Sequence, residues 1–251
     1  MSKDILVTMQ EDAKRALGRS AKGRRWAMLI DLRKCVGCHG CTVACMSENK
    51  LPPGIVYRPV KEFQVGKYPN PRRIFVPRPC MHCDNPPCVA ECPKPGKGGA
   101  TWKEEEGVGA GLVLINYQEC IGCGSCVSAC PYGARDLDEG LFHTDGTPER
   151  QKYESMPSFE YGIAAKRTKD TPPMEKARKC HFCLHRLENG MLPECVTTCV
   201  GRATYFGDVN DPESEISKVI KANKVQFLKP KKGTKPRVYY ISDENLEVIY
   251  G

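Results

Sequence analysis

The sequence predicts an α+β fold in which short strands and short helices bracket cysteine-lined loops. Three observations carry that prediction. Sixteen cysteines in 251 residues fall into four groups of four. A strand-like apolar run precedes three of the groups, and every group closes with C-x3-C, about one helical turn. With 20 Pro, 23 Gly and a mean hydropathy of −0.46, the remainder leans toward turns and loops.

The elements follow in order. The start, MSKDILVTMQEDAKRALGRSAKGRR, is polar and lacks the apolar stretch of a signal peptide. Within it Ile5, Leu6, Met9, Ala13, Ala16 and Leu17 form a helical stripe, which either packs on its own domain or docks on another subunit. Arg24-Arg25 ahead of WAMLI only faintly resembles a twin-arginine signal, because Asp31 ends the apolar run after five residues. WAMLI reads instead as a strand feeding the first cysteine group, as RIFVP feeds the second and GLVLIN the third. The spacers Ser47–Arg73 and Pro131–Lys179 are rich in Pro, Gly and charge and read as surface loops. NDPESEISKVIKAN predicts a helix with Asp211 as N-cap, Pro212 in the first turn, and Ile216, Val219 and Ile220 on its apolar face. The tail through LKPKKGTKPRVYYIS reads as an extended arm. No apolar run exceeds WAMLI or GLVLI, far below a membrane span.

The groups are CVGCHGCTVAC (Cys35, Cys38, Cys41, Cys45), CMHCDNPPCVAECP (Cys80, Cys83, Cys88, Cys92), CIGCGSCVSACP (Cys120, Cys123, Cys126, Cys130) and CHFCLHRLENGMLPECVTTC (Cys180, Cys183, Cys195, Cys199). Disulfides suit small secreted domains, which this polar start does not announce. Structural zinc takes two C-x2-C pairs; group four alone fits, whereas groups one and three carry a third cysteine with no place in such a site. C-x2-C-x2-C instead wraps three sulfurs around one side of an iron–sulfur cubane. The fourth cysteine, a helical turn on, reaches a different cluster, as in two-cluster ferredoxins. Cys45 is therefore expected on a different cluster from Cys35, Cys38 and Cys41.

Other features carry less. His39 and His181 each follow a cysteine in an intact set and read as packing or hydrogen-bonding neighbours, not Rieske-type ligands. GVGAG at Gly107–Gly111 lacks dinucleotide-loop spacing and precedes a strand; it reads as a turn. No open metal position, nucleotide loop or nucleophile with its base is present, so no catalytic residue is expected. The formal charge of +8 looks suited to nucleic acid. Four oxidised clusters of about −2 each would cancel it, and no nucleic-acid partner is expected. Arg33, Lys34 and Lys179 flank ligands and are candidates for raising nearby potentials, or are solvated loop charges.

IDLRKCVGC, CMHCDNPPCVAECP, INYQECIGCGSCVSACPYGAR and KCHFCLHRLENGMLPECVTTC running into GRATYFGDVNDP carry a resemblance over roughly Trp26 to Asp211. The chain resembles the four-cluster iron–sulfur subunits of the dimethyl sulfoxide reductase family of molybdopterin oxidoreductases. The resemblance implies two interleaved ferredoxin-like units. The outer one comprises 26–78 plus 170–210 with groups one and four; the inserted one comprises 79–135 with groups two and three. Residues 1–25 are then an N-terminal extension, 136–169 an insertion loop, and 211–251 a C-terminal helix and arm.

The implied ligand sets are Cys35, Cys38, Cys41 and Cys199 for cluster 1, nearest the catalytic subunit, and Cys45, Cys180, Cys183 and Cys195 for cluster 2. Cys80, Cys83, Cys88 and Cys130 hold cluster 3, and Cys92, Cys120, Cys123 and Cys126 hold cluster 4. With all sixteen positions Cys, four [4Fe–4S] clusters are implied and no [3Fe–4S] variant. The implied role is a relay of single electrons between a molybdenum or tungsten catalytic subunit and a second redox partner: a membrane-anchor subunit, a cytochrome or another carrier. The alternative is a free polyferredoxin, against which the long loops and terminal segments count. Three departures stand out: Val200 where relatives have Pro after the last cysteine, the long stretch after Cys92, and the N-terminal extension. Clusters are built under reducing conditions. The chain is therefore expected to remain cytoplasmic or to be carried out already folded by a partner.

Overall fold

The computed structural model describes residues 3–149, 151–160, 163–165 and 173–250. The chain opens with α1 (Ile5–Leu17), β1 (Trp26–Asp31), α2 (Gly40–Glu48) and the strands β2 (Val60–Val65) and β3 (Arg72–Pro77). Then come α3 (Pro87–Ala90), β4 (Thr101–Lys103), β5 (Val113–Ile115), α4 (Ser125–Ser128), β6 (Asp136–Leu137), β7 (Ser158–Glu160), β8 (Ile163–Ala165) and β9 (Ala177–Arg178). The last part holds α5 (Leu184–Glu188), α6 (Glu194–Thr197), β10 (Thr204–Asp208), α7 (Glu215–Ala222), β11 (Val238–Ile241) and α8 (Leu246–Tyr250). Mixed helix and small sheets agree with the α+β expectation. Among the described residues no helix is long and apolar enough to cross a membrane.

WAMLI is indeed a strand, and it is the centre of the largest sheet, in the order β10-β1-β11. β1 pairs antiparallel with β10 (Trp26 opposite Asp208) and parallel with β11 (Met28 opposite Val238). All six of its residues are buried, which explains a continuous apolar run in place of alternation. Trp26 stacks on Phe206 at 5.4 Å and donates its indole N–H to the Val108 carbonyl at 2.7 Å. α1 lies on β10 and α7, burying Met9, Ala13 and Ala16, with Asp4 accepting from the Leu6 N–H at its start. Of the two readings of that stripe, the structure gives packing on its own chain.

The tail corrects the sequence reading. Residues 211–251 are no extended arm: β11 is a core strand, with Val238, Tyr240 and Ile241 buried. The segment before it stitches group two to the sheet. Asp84 N–H donates to the Lys235 carbonyl, Asn85 N–H to that of Thr234 and Arg237 N–H to that of Met81, while Met28 N–H donates to the Arg237 carbonyl. Helix α7 starts at Glu215, capped by Ser214, not by Asp211. Asp211 is drawn away by Arg15, whose Nε and Nη2 donate to its Oδ2 at 2.9 and 2.7 Å.

The first long spacer is also more ordered than expected. β2 and β3 form an antiparallel hairpin within it, from Val60 opposite Pro77 to Val65 opposite Arg72. Flanking prolines and charges hid its alternation. In the second spacer β6 pairs with β9, clamped by the buried Arg178–Asp138 ion pair at 2.9 Å, and β7 pairs with β8. Residues 150, 161–162 and 166–172 of that spacer lie outside the described residues.

Candidate metal centres

Each cysteine group is a wrapped loop running into a short helix. In group one Cys35 and Cys38 sit on the loop after β1, and Cys41 and Cys45 on α2. Gly37 has φ 68°, and a Cβ there would lie 2.4 Å from the Phe75 ring, so the wrap requires glycine. Group three repeats the device: Gly122 has φ 73°, and a Cβ would lie 2.3 Å from the Glu175 carbonyl oxygen. The helices of groups two, three and four are single turns that carry Cys88, Cys126 and Cys195, with Cys92, Cys130 and Cys199 just past their ends. At group four, Val200 in place of proline leaves the turn closed: Arg202 N–H reaches the Cys199 carbonyl at 3.1 Å and Ala203 N–H the Cys199 sulfur at 3.3 Å.

The groups do not stay separate. Cys35, Cys38 and Cys41 share a small cavity with Cys199 of group four. Burial, then the sulfurs of Cys180, Cys195 and Cys183, push the Cys45 thiol well above its ordinary range. Cys83 is pushed up to about 12 by burial and by Cys80, Cys88 and Cys130, against the Thr234 hydroxyl. Cys92, Cys120, Cys123 and Cys126 line a fourth cavity. In every case the closing cysteine of one group stands with three cysteines of another.

These quartets form a row. Cys195 is close enough to Cys41 and Cys199 to be pushed up by both, after burial itself. Cys180, pushed up to about 12, feels burial first, then Cys195 of its own quartet and Cys80 of the next. Arg135 acts on both Cys88 and Cys126, joining the last two quartets. Cys38 and Cys123, in the two end quartets, are exposed, whereas the cysteines of the second quartet are all buried.

The donor set fits iron–sulfur cubanes. All sixteen cysteines are free of disulfides. Sulfurs accept N–H bonds, as a thiolate should: Phe182 N–H to Cys180 at 3.4 Å, Ala134 N–H to Cys130 at 3.4 Å, Ala177 N–H to Cys120 at 3.5 Å. Burial makes a bare thiolate costly, so these sites require a cationic core among the sulfurs. Zinc at about 2.3 Å from each sulfur would draw four of them to roughly 3.8 Å apart. Among the described residues no three His, Cys, Asp or Glu groups converge closely enough to hold one metal ion; the quartets surround voids instead.

The histidines and basic residues take distinct places. His181 Nδ1 accepts from Leu184 N–H at 3.0 Å and its Nε2 lies 2.9 Å from Asn49 Oδ1, so both nitrogens are engaged away from metal. Burial holds His181 and His82 well below the usual histidine range. Arg33 is matched by Asp31 at 2.8 Å, and Lys34 donates to the Tyr205 hydroxyl at 2.6 Å, so neither is a free counter-charge for sulfur. Lys179 is fully buried among sulfurs: burial pushes it down, while Cys80, Cys180 and Cys88 push it up. Sequence reading missed Arg58 and Arg135, which are equally buried beside the quartets and lie outside every cysteine motif.

The sequence profile of the 4Fe-4S dicluster domain family matches residues 72–147 and 147–209, more than half of the chain. A selenate reductase subunit of Mesobacillus selenatarsenatis is 53% identical over 241 residues, covering 96% of this chain and 80% of the relative. A tetrathionate reductase subunit of Salmonella typhimurium is 38% identical over 221 residues (86% of this chain, 72% of the relative). The arsenate respiratory reductase iron-sulfur subunit of Shewanella sp. strain ANA-3 is 37% identical over 247 residues (90% and 100%). The chain belongs to the 4Fe–4S dicluster family, among the four-cluster iron–sulfur subunits of the dimethyl sulfoxide reductase family of molybdopterin oxidoreductases, and its cofactors are four [4Fe–4S] clusters.

Proposed function

We infer that this chain is the electron conduit of an oxidoreductase complex, relaying single electrons between a molybdopterin catalytic subunit and a second redox partner. One observation carries the reading: the quartets lie in a row whose two end members hold the exposed sulfurs, Cys38 and Cys123. The bound clusters supply one-electron chemistry. The protein supplies ligands, amide donors and a dry interior, and has no catalytic residue of its own.

The ligand sets in this reading are Cys35, Cys38, Cys41 and Cys199; Cys45, Cys180, Cys183 and Cys195; Cys80, Cys83, Cys88 and Cys130; and Cys92, Cys120, Cys123 and Cys126. Their interleaving makes two ferredoxin-like units, one inserted in the other. The first set faces the catalytic subunit, at an end where Val36, Val43 and Val200 stand exposed; the last faces the second partner, beside exposed Ile121 and Leu141. Relatives named for selenate, tetrathionate and arsenate reductases support an oxyanion-reducing catalytic partner. They are named as subunits, which gives the free-carrier alternative no support.

Anaerobic affinity purification of the tagged chain from its native host tests the role. The chain should co-elute with a larger protein that carries molybdenum or tungsten, and dithionite-reduced clusters in that complex should be reoxidised by an added oxyanion. A brown protein that elutes alone and exchanges electrons with no co-purifying subunit would overturn it.

A further inference from the structure

A buried cation stands at each of the three junctions in the row of quartets. Arg58, 1% exposed, faces the sulfurs of Cys195 and Cys41. Its guanidinium donates to Thr204 Oγ1 at 2.8 Å and lies 2.9 Å from Met28 Sδ. Among the described residues it has no carboxylate in ion-pair range, in contrast to the equally buried Arg178, which Asp138 neutralises. Lys179, fully buried, donates to the Cys180 carbonyl at 2.7 Å and faces Cys80 and Cys180, on the two sides of the second junction. Arg135, 2% exposed, acts on Cys88 and bonds the Cys126 sulfur across the third, while donating to Thr101 Oγ1 at 2.9 Å.

We propose that Arg58, Lys179 and Arg135 are fixed counter-charges of the electron path, one at each junction, each raising the reduction potential of the two clusters it lies between. The proposal rests on the ligand sets given above. A cation in a dry interior is costly unless opposite charge faces it. A cubane with four thiolates supplies about −2 when oxidised, and one more negative charge for each electron taken up. A cation at fixed range therefore favours the reduced state over the oxidised one. It also weakens the repulsion that an electron on one cluster exerts on the next. Arg135 and Lys179 repel each other, so their closeness is a cost that Cys88 and its quartet must offset. Three unrelated segments supply these residues: the run into β2, the residue before group four, and the turn after group three. Each lands at a different gap.

The experiment is a redox titration monitored by EPR, with iron analysis, on the intact complex carrying Arg58→Gln, Arg58→Lys or Arg135→Gln. Arg58→Gln should lower the reduction equilibrium of the first two clusters about tenfold or more, 59 mV for a one-electron couple, and leave the last two within threefold. Arg135→Gln should give the mirror image, and Arg58→Lys should stay within threefold throughout. Iron lost from the first two clusters in Arg58→Gln but retained in Arg58→Lys supports the assignment equally, because charge is then what both sites need. Unchanged potentials, one uniform shift in all four clusters, or the same change in Arg58→Gln and Arg58→Lys would overturn it. Failure of the ligand sets reads differently: it appears as the wrong cluster lost from a cysteine variant with Arg58 native.

Discussion

Asp84 is the residue whose loss should most weaken the join between the inserted cysteine loops and the central sheet. It directly follows Cys83. Its Oδ2 accepts from Arg25 Nη2 at 2.6 Å, and its Oδ1 accepts from Arg237 Nε at 2.9 Å and from Lys103 Nζ. Arg25 leads into β1, Lys103 ends β4, and Arg237 leads into β11, so one carboxylate gathers three elements. Arg25 and Lys103 keep 27% and 26% side-chain exposure, and each such pair contributes about 0.5–1 kcal/mol. Arg237 is 8% exposed, and a charged hydrogen bond there contributes about 1.5–3 kcal/mol. Asp84→Asn should therefore cost roughly 3–4 kcal/mol, with three cations left facing one another. For a chain of this size that is a melting-point loss of roughly 6–16 °C.

The assay is heating of the anaerobic complex, followed by loss of visible iron–sulfur absorbance. The three cations hold the Asp84 carboxyl well below the usual carboxylate range, against its burial. Its contribution is thus complete above the unfolded carboxylate value and fades only as pH falls through the lowered folded value. The penalty of Asp84→Asn should be flat between about pH 6 and 8. A variant melting within about 2 °C of the parent, or a penalty that changes steeply across that range, would refute the reasoning.

Further outcomes follow from the same packing. Met9, 1% exposed under β10, should cost about 2–4 kcal/mol as Met9→Ala, whereas Val7→Ala on the exposed face of α1 should cost under about 0.5 kcal/mol; equal losses in thermal melts would place α1 elsewhere. Gly122→Ala forces a Cβ to 2.3 Å from the Glu175 carbonyl oxygen and should remove about a quarter of the iron. Gly107→Ala, also at positive φ but with nothing within 4 Å, should keep all of it at a cost of about 1 kcal/mol; iron analysis of the two variants separates packing from backbone preference.

The cysteine loops were legible because their geometry is local: a wrap of three sulfurs and a helical turn to the fourth are written into consecutive residues. β1 and the strand before group three were legible as apolar runs for a similar reason. The tail was not. Its Lys- and Pro-rich approach looks solvated, and only the docking of Thr234, Lys235 and Arg237 on the group-two loop turns Val238–Ile241 into core. Asp211 looked like a cap by local rule, but Arg15, nearly two hundred residues away in sequence, recruits it first. The basic residues show the same limit. Arg33 sits beside a ligand and is neutralised by Asp31, whereas Arg58 and Arg135 lie outside every motif and end up against sulfur. Charge placement depends on which distant segments fold together, and no spacing records that.

The most direct measurement is an EPR and iron analysis of the complex carrying Cys45→Ser, whose site draws on two distant stretches of chain. With Cys45 joined to Cys180, Cys183 and Cys195, the variant should lose or convert that one cluster while the one bound by Cys35, Cys38 and Cys41 keeps its native signal. Damage to the cluster of Cys35, Cys38 and Cys41, with the other three untouched, would contradict the shared cages on which the electron path depends.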